Sequence, residues 1–214
     1  MNSTPCIMDL NGLWLMELLN RRRLMGEKLP YDYEVEWIGA NGTQWADTEM
    51  IWDSSFAIDL YIVDFLLGGT GICGARANWL DRMIHVASNQ DGLAFCFRNK
   101  YQTNIKIQNH ADHHIRIANG KLYVDGELKS SFNYTSFNCG KSAYIFAVHD
   151  NDRTIFLKEV PTKIKKMVVS DKNNLAISEL IGVVKNNVPC LYDTIRKKFL
   201  FNQGTDNFII GPKI

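Results

Sequence analysis

The chain has 214 residues, 46% of them apolar and 22% charged, with a formal net charge of +1. Such a composition suits one sizeable globular domain with an appendage and excludes a disordered chain. The near-neutral balance leaves no global electrostatic footprint for nucleic acid, and no apolar run reaches the roughly 20 residues that span a bilayer.

The N-terminal stretch "MNSTPCIMDLNGLWLMELLNRRRLMG" makes a poor secretory signal, because Asp9 and Glu17 interrupt it and its arginines follow the apolar part. It reads instead as a helix over residues 11–26, with Asn11 as N-cap, Gly26 at the C-terminal end and Pro30 shortly after. Leu13, Trp14, Leu15, Met16, Leu18 and Leu19 wrap most of its circumference, so the helix must pack on something. Arg21, Arg22 and Arg23 sit in the last turns, where they complement the helix dipole and suit docking on a partner protein.

From Tyr31 onward the hydrophobic period becomes two. "FAIDLYIVD" puts Phe56, Ile58, Leu60 and Ile62 on one face, and "LAFCFR" does the same for Leu93, Phe95 and Phe97. "TNIKIQ", "HIRIA" and "KLYVDG" repeat the alternation, and "AYIFAV", "KKMVVS", "ELIGVV", "PCLYD", "KFLF" and "NFIIG" supply further strands. Asn119-Gly120 and Asp125-Gly126 mark tight hairpin turns, since both residues of each pair tolerate positive φ. Many short strands of this kind predict an all-β sandwich, preceded by a helical arm over residues 1–30. The five cysteines, Cys6, Cys73, Cys96, Cys139 and Cys190, are odd in number and lack a CxxC pair, which predicts free thiols in a protein made in a reducing cytoplasm.

Three segments carry a family resemblance. "HHIRIANGKLYVDGEL" (113–128) resembles the hairpin of concanavalin A-like, laminin-G-like jelly rolls. "YDYEVEWIGANGTQWADT" (31–48) is similar to the opening strand, of the form "YIESTGTQYIDTG", of a subgroup frequent in phages and prophages of gut bacteria. "VPCLYDTIRKKFLFNQGTDNFIIGP" (188–212) resembles that subgroup's closing segment, "GLYDxxxGKFYxNxGTGxFxxG", and "GICGAR" (71–76) its "FGAR" strand. The motifs stand in the family's order and cover nearly everything from Tyr31 to Pro212. "NRRRLM" (20–25) looks like the Arg-rich leader that precedes such domains. The family's "DTG" is "DTE" here, so Glu49 stands where a turn glycine is usual.

Several groupings invite a chemical reading. In a strand His113 and His114 point to opposite faces, so they cannot both chelate one ion, and His110 and His113 have helical rather than strand spacing. The histidines are therefore assigned to the scaffold. A glycosidase needs two carboxylates across a cleft; Glu34 and Glu36 of "YEVEW" share a strand face, but the Glu-x-Asp-x-x-Glu triplet of the related glucanases is missing. "CGKSAY" fails as a phosphate loop because Thr135 occupies the first glycine position. Asp150 and Asp152 in "HDNDR" are the weak candidates for calcium, against the blander reading of an Asx-rich turn. Trp45, Trp52 and Trp79 are candidates to stack on sugar rings, with Arg76 and Asn78 as polar partners; the competing reading places at least two of the tryptophans in the core or an inter-subunit contact.

The resemblance implies a structural protein of a tailed phage, made in the bacterial host cytoplasm and displayed on the virion surface as a head fibre or capsid decoration. Residues 1–30 would anchor it to other virion proteins, and residues 31–214 would form the exposed jelly roll, with a homotrimer favoured. Weak adhesion to host or mucosal glycans is expected, with no enzymatic activity, no required cofactor and no nucleic-acid or membrane partner. A tail-associated or cell-surface lectin, and a degenerate or active glucanase-like hydrolase, are the alternatives.

Overall fold

In chain order the strands begin with β1 (Tyr33–Glu34), β2 (Ile38–Ala40), β3 (Ala46–Asp53), β4 (Ala57–Val63), β5 (Gly71–Asn78), β6 (Arg82–Asn89) and β7 (Gly92–Phe97). They continue with β8 (Lys100–Ile105), β9 (His113–Ala118), β10 (Lys121–Val124), β11 (Glu127–Ser131), β12 (Asn138–Ile145) and β13 (Val148–Asp150). The last are β14 (Arg153–Ile155), β15 (Thr162–Ser170), β16 (Ala176–Lys185), β17 (Val188–Asp193), β18 (Lys198–Leu200) and β19 (Ile209–Ile210). The computed structural model describes residues 29–68, 71–78, 81–155 and 161–214, and Tyr31–Ile214 forms one compact unit. The expected helix, with the anchor residues Leu13, Trp14, Met16, Leu18, Leu19, Arg21, Arg22 and Arg23, lies outside the described residues, as does Trp79.

The strands form two sheets. The larger runs β11-β10-β9-β4-β15-β16-β17-β18, with β2 on β15, β19 on β2 and β1 on β16; the smaller runs β14-β13-β5-β6-β7-β8, with β12 between β5 and β3. Pairing is antiparallel throughout except for β13 against β5.

The period-two pattern explains how the sheets face each other. Ile58, Leu60, Ile115, Ile117, Met167 and Val169 of the larger sheet share one hydrophobic cluster with Ile72, Ile84, Val86, Leu93, Phe95 and Phe97 of the smaller. Each such side chain contributes about 1.5–3 kcal/mol on leaving water, so the apolar alternation is sufficient reason for two layers to close on one core.

Turn chemistry sets the hairpin registers. Asn119 and Gly120 have φ of 51° and 73°, and Asp125 and Gly126 have 52° and 82°, as the tight turns on either side of β10 require. Gly120 is also constrained by space, because a Cβ there would lie 2.8 Å from the Phe132 carbonyl oxygen. The two ends of the unit meet in the larger sheet, where Ile38 pairs with Ile210, Gly39 with Ile209, and Val35 with Lys213.

Candidate functional site

The sugar-stacking set does not assemble. Trp52 shares the inward parity of Ala46 and Thr48 on β3 and is 0% exposed, so its ring fills the core and is closed to a ligand. Arg76 is likewise buried, with its Nε 2.6 Å from Asp150 Oδ1 and its Nη2 2.5 Å from Oδ2. That bidentate pair joins a proposed ligand residue to a proposed calcium residue and uses both. The other calcium candidate, Asp152, accepts a bond from Lys141 Nζ at 2.7 Å. Both carboxylates are thus matched to protein cations, whose hydrogen bonds hold them below the ordinary carboxylate pKa. Beside Arg76, burial and then the guanidinium charge depress the His85 pKa to about 3, leaving the ring neutral at physiological pH. Asn78 is exposed and accepts the Asp81 N–H at 3.0 Å, the role of a turn residue.

Trp45 is half-buried on the smaller sheet, its ring centroid 4.2 Å from that of Tyr144, which in turn stacks on His149 at 4.1 Å. The ring is therefore held by protein on one side. Glu34 and Glu36 also part company. Glu34 is 5% exposed and accepts a hydrogen bond from the Tyr31 hydroxyl, whereas Glu36 lies beyond the end of β1 and is exposed. The two side chains do not share one strand face, because the strand ends after Glu34.

The two histidines divide as strand geometry requires. His113 points inward, 7% exposed, with Nδ1 2.7 Å from Asp125 Oδ2 and Nε2 2.7 Å from the Gln108 carbonyl oxygen. His114 points outward, next to Arg116, and this face holds the best-organised polar cluster. Its centre is Asp59, whose side chain faces away from its core neighbours Ile58 and Leu60 yet is only 8% exposed. Asp59 Oδ1 lies 2.7 Å from His114 Nε2, and Oδ2 lies 2.5 Å from Arg116 Nη1. Burial alone would push the Asp59 carboxyl up; the hydrogen bonds from His114 and Arg116 overcome it, and the pKa falls below the ordinary carboxylate value.

Neighbouring strands extend the cluster. Tyr61, opposite His114 in the register, stacks on it with centroids 4.5 Å apart and planes 5° from parallel. Lys166 Nζ lies 5.3 Å from the Tyr61 ring centre and 3.5 Å from Glu179 Oε1. On the other side, Tyr123 sits opposite Arg116 and Lys121 opposite Ala118. A groove of about 320 Å³ results, lined by His114, Arg116, Ala118, Asn119, Lys121, Tyr123 and Gly126. Ala118 and Gly126 keep it open, and Asp59 orients Arg116 and His114 from below. This arrangement can hold a ligand by hydrogen bonds and charge.

Sequence reasoning missed this groove for a definable reason. Alternation around Ile58, Leu60, Ile115 and Ile117 already puts Asp59, Tyr61, His114 and Arg116 on outward faces. What it does not contain is that β4 and β9, 55 residues apart at Asp59 and His114, are adjacent strands.

No protein-family model matches the chain, and no curated protein matches it.

Proposed function

We propose that this chain is a structural protein of a tailed-phage virion, a head fibre or capsid decoration. Residues 1–30 dock on other virion proteins, and residues 31–214 form a concanavalin A-like jelly roll that displays a glycan-adhesive surface. The observation that carries this reading is the backbone conformation at three departures from the family motifs. Where "DTG" has become "DTE", Glu49 has φ of 53°; where "LYDxxxG" and "GTG" have lost a glycine, Lys197 and Asp206 have φ of 60° and 61°. Only glycine visits that region without a steric penalty, so the motif's glycines fall where this backbone calls for them. This agreement in local conformation is what supports the resemblance.

A lectin outside the virion is the second reading, favoured by the groove over Asp59. The hydrolase reading has lost its carboxylate pair, since Glu34 is buried against Tyr31 while Glu36 faces solvent. Quantitative mass spectrometry of purified particles tests the display reading. The expected result is a stoichiometric virion component in copies that are multiples of three, and absence from particles refutes it. Deleting residues 1–26 should leave a folded β-protein that no longer joins particles; aggregation of the truncated chain would mean that the boundary is wrong.

A further inference from the structure

Among the described residues, several surface ion pairs neutralise themselves in the open. In the Lys141–Asp152 pair the carboxylate side chain is 79% exposed against 30% for the lysine, and in Lys198–Glu49 the two are 56% and 52% exposed. At Asp59 the order reverses. Its carboxylate is 11% exposed, while Arg116 and His114 are 39% and 35% exposed. The acid is spent beneath the surface on orientation, and the guanidinium and the imidazole are what solvent meets. Lys121 adds a second exposed positive charge on the adjacent strand, and no carboxylate lines the groove.

We propose that this groove binds an acidic saccharide, a sugar ring carrying a carboxylate. Arg116 gives one amino group to Asp59, and among the described residues no second acceptor engages the guanidinium. Its remaining N–H groups form a planar fork suited to a carboxylate, the geometry in which arginine outperforms a point charge. With the neutral ring donating from Nε2 to Asp59, His114 Nδ1 is left to accept a hydrogen bond from a sugar hydroxyl. Tyr123, beside Arg116, offers an aromatic face to the C–H side of a pyranose, and Asn119 and Lys121 offer donors at the rim. The volume, about 320 Å³, sits at the small end of ligand clefts and fits one or two sugar rings. A nucleic-acid backbone is disfavoured, because so short a positive groove on a chain of net charge +1 cannot neutralise a run of phosphates.

The inference deepens the glycan-adhesive part of the proposed function and is independent of whether the chain resides in a virion. The test is calorimetric titration of the full chain with oligogalacturonide, neutral dextran oligomers, dextran sulfate oligomers, which carry sulfate but no carboxylate, and single-stranded DNA. The uronate should bind, dextran should not, and Arg116→Gln should weaken uronate binding by about tenfold or more through loss of a charge-assisted bond. Lys121→Gln, which leaves Asp59 and its partners intact, should weaken it by a smaller factor. Ala118→Trp should abolish binding by filling the groove without altering charge. Lys198→Gln, on β18 five strands from β9 across the sheet, carries the same charge change and should leave binding unchanged.

Circular dichroism and the melting midpoint verify that each variant is folded. Equal affinity for dextran, equal or tighter binding of dextran sulfate or DNA, an unaffected Ala118→Trp, or loss in Lys198→Gln matching that in Arg116→Gln each overturns the proposal. A chain found in particles that binds no uronate sinks only this inference, and a uronate-binding chain absent from particles sinks only the display reading.

Discussion

Asp193 offers the sharpest test of how the closing segment is held. It is 0% exposed, at the end of β17, and both oxygens are fully engaged. Oδ1 accepts the Ile195 and Arg196 backbone N–H groups at 3.0 and 2.8 Å, while Oδ2 accepts Ser178 Oγ at 2.5 Å and Arg196 Nε at 2.7 Å. In Asp193→Asn the amide oxygen can keep the two backbone bonds, but its NH₂ then faces two donors. Losing two charge-assisted bonds of about 1.5–3 kcal/mol each, partly recovered if the Ser178 hydroxyl turns to accept, gives an expected loss of about 2–4 kcal/mol. Asp193→Ala abandons these donors, and the Glu179 N–H 3.5 Å from Oδ1 as well, and should cost more, roughly 3–5 kcal/mol, as when a buried pair loses one partner.

The charge adds a pH signature. Burial pushes the Asp193 carboxyl up, but the bonds from Ser178 and Arg196 prevail and lower its pKa. A group whose folded pKa lies below its unfolded value stabilises fully above the unfolded value and loses that contribution as pH falls through the folded one. Urea unfolding at about pH 7 and about pH 3, followed by tryptophan fluorescence, should show the parent losing more stability on acidification than Asp193→Asn. If Asp193→Asn unfolds within about 0.5 kcal/mol of the parent, or keeps the parent's full acid sensitivity, the account of this turn is wrong.

Three further outcomes follow from other parts of the molecule. Lys197→Gly should raise the melting midpoint, because relief of a left-handed lysine, about 1–2 kcal/mol, exceeds the entropy that glycine adds to the unfolded chain, about 0.4–1 kcal/mol; differential scanning calorimetry measures it, and a lower midpoint refutes the motif reading. Asp150→Ala should destabilise by about 3–5 kcal/mol in chemical denaturation by stranding the buried Arg76, while added calcium or EDTA leaves the parent's midpoint unmoved; a calcium-dependent midpoint would restore the metal reading. All four described cysteines are buried, with burial raising the thiols of Cys96, Cys139 and Cys190 to about 12 and that of Cys73 also upward. A thiol-exchange reagent should therefore titrate at most Cys6 in the folded chain and all 5 cysteines in denaturant.

Local order was largely legible in the amino-acid sequence. Period-two alternation identified the inward residues of β4, β7, β9 and β10, and Asn-Gly and Asp-Gly placed two hairpin turns, because both signals depend on neighbours within a few residues. Alternation also separated His113 from His114. The same rule, applied to "ADTEMIWD", puts Trp52 inside with Ala46 and Thr48, which is the core placement that competed with sugar stacking for the tryptophans. Tertiary structure alone decided which outward residues became partners. Arg76 met Asp150 and Asp59 met His114 and Arg116 because β13 lies on β5 and β9 on β4, and strand adjacency depends on how whole sheets pair across long stretches of chain. Backbone preference acts over one turn and is written locally, whereas a buried ion pair exists only once the sheet has brought its two halves within reach.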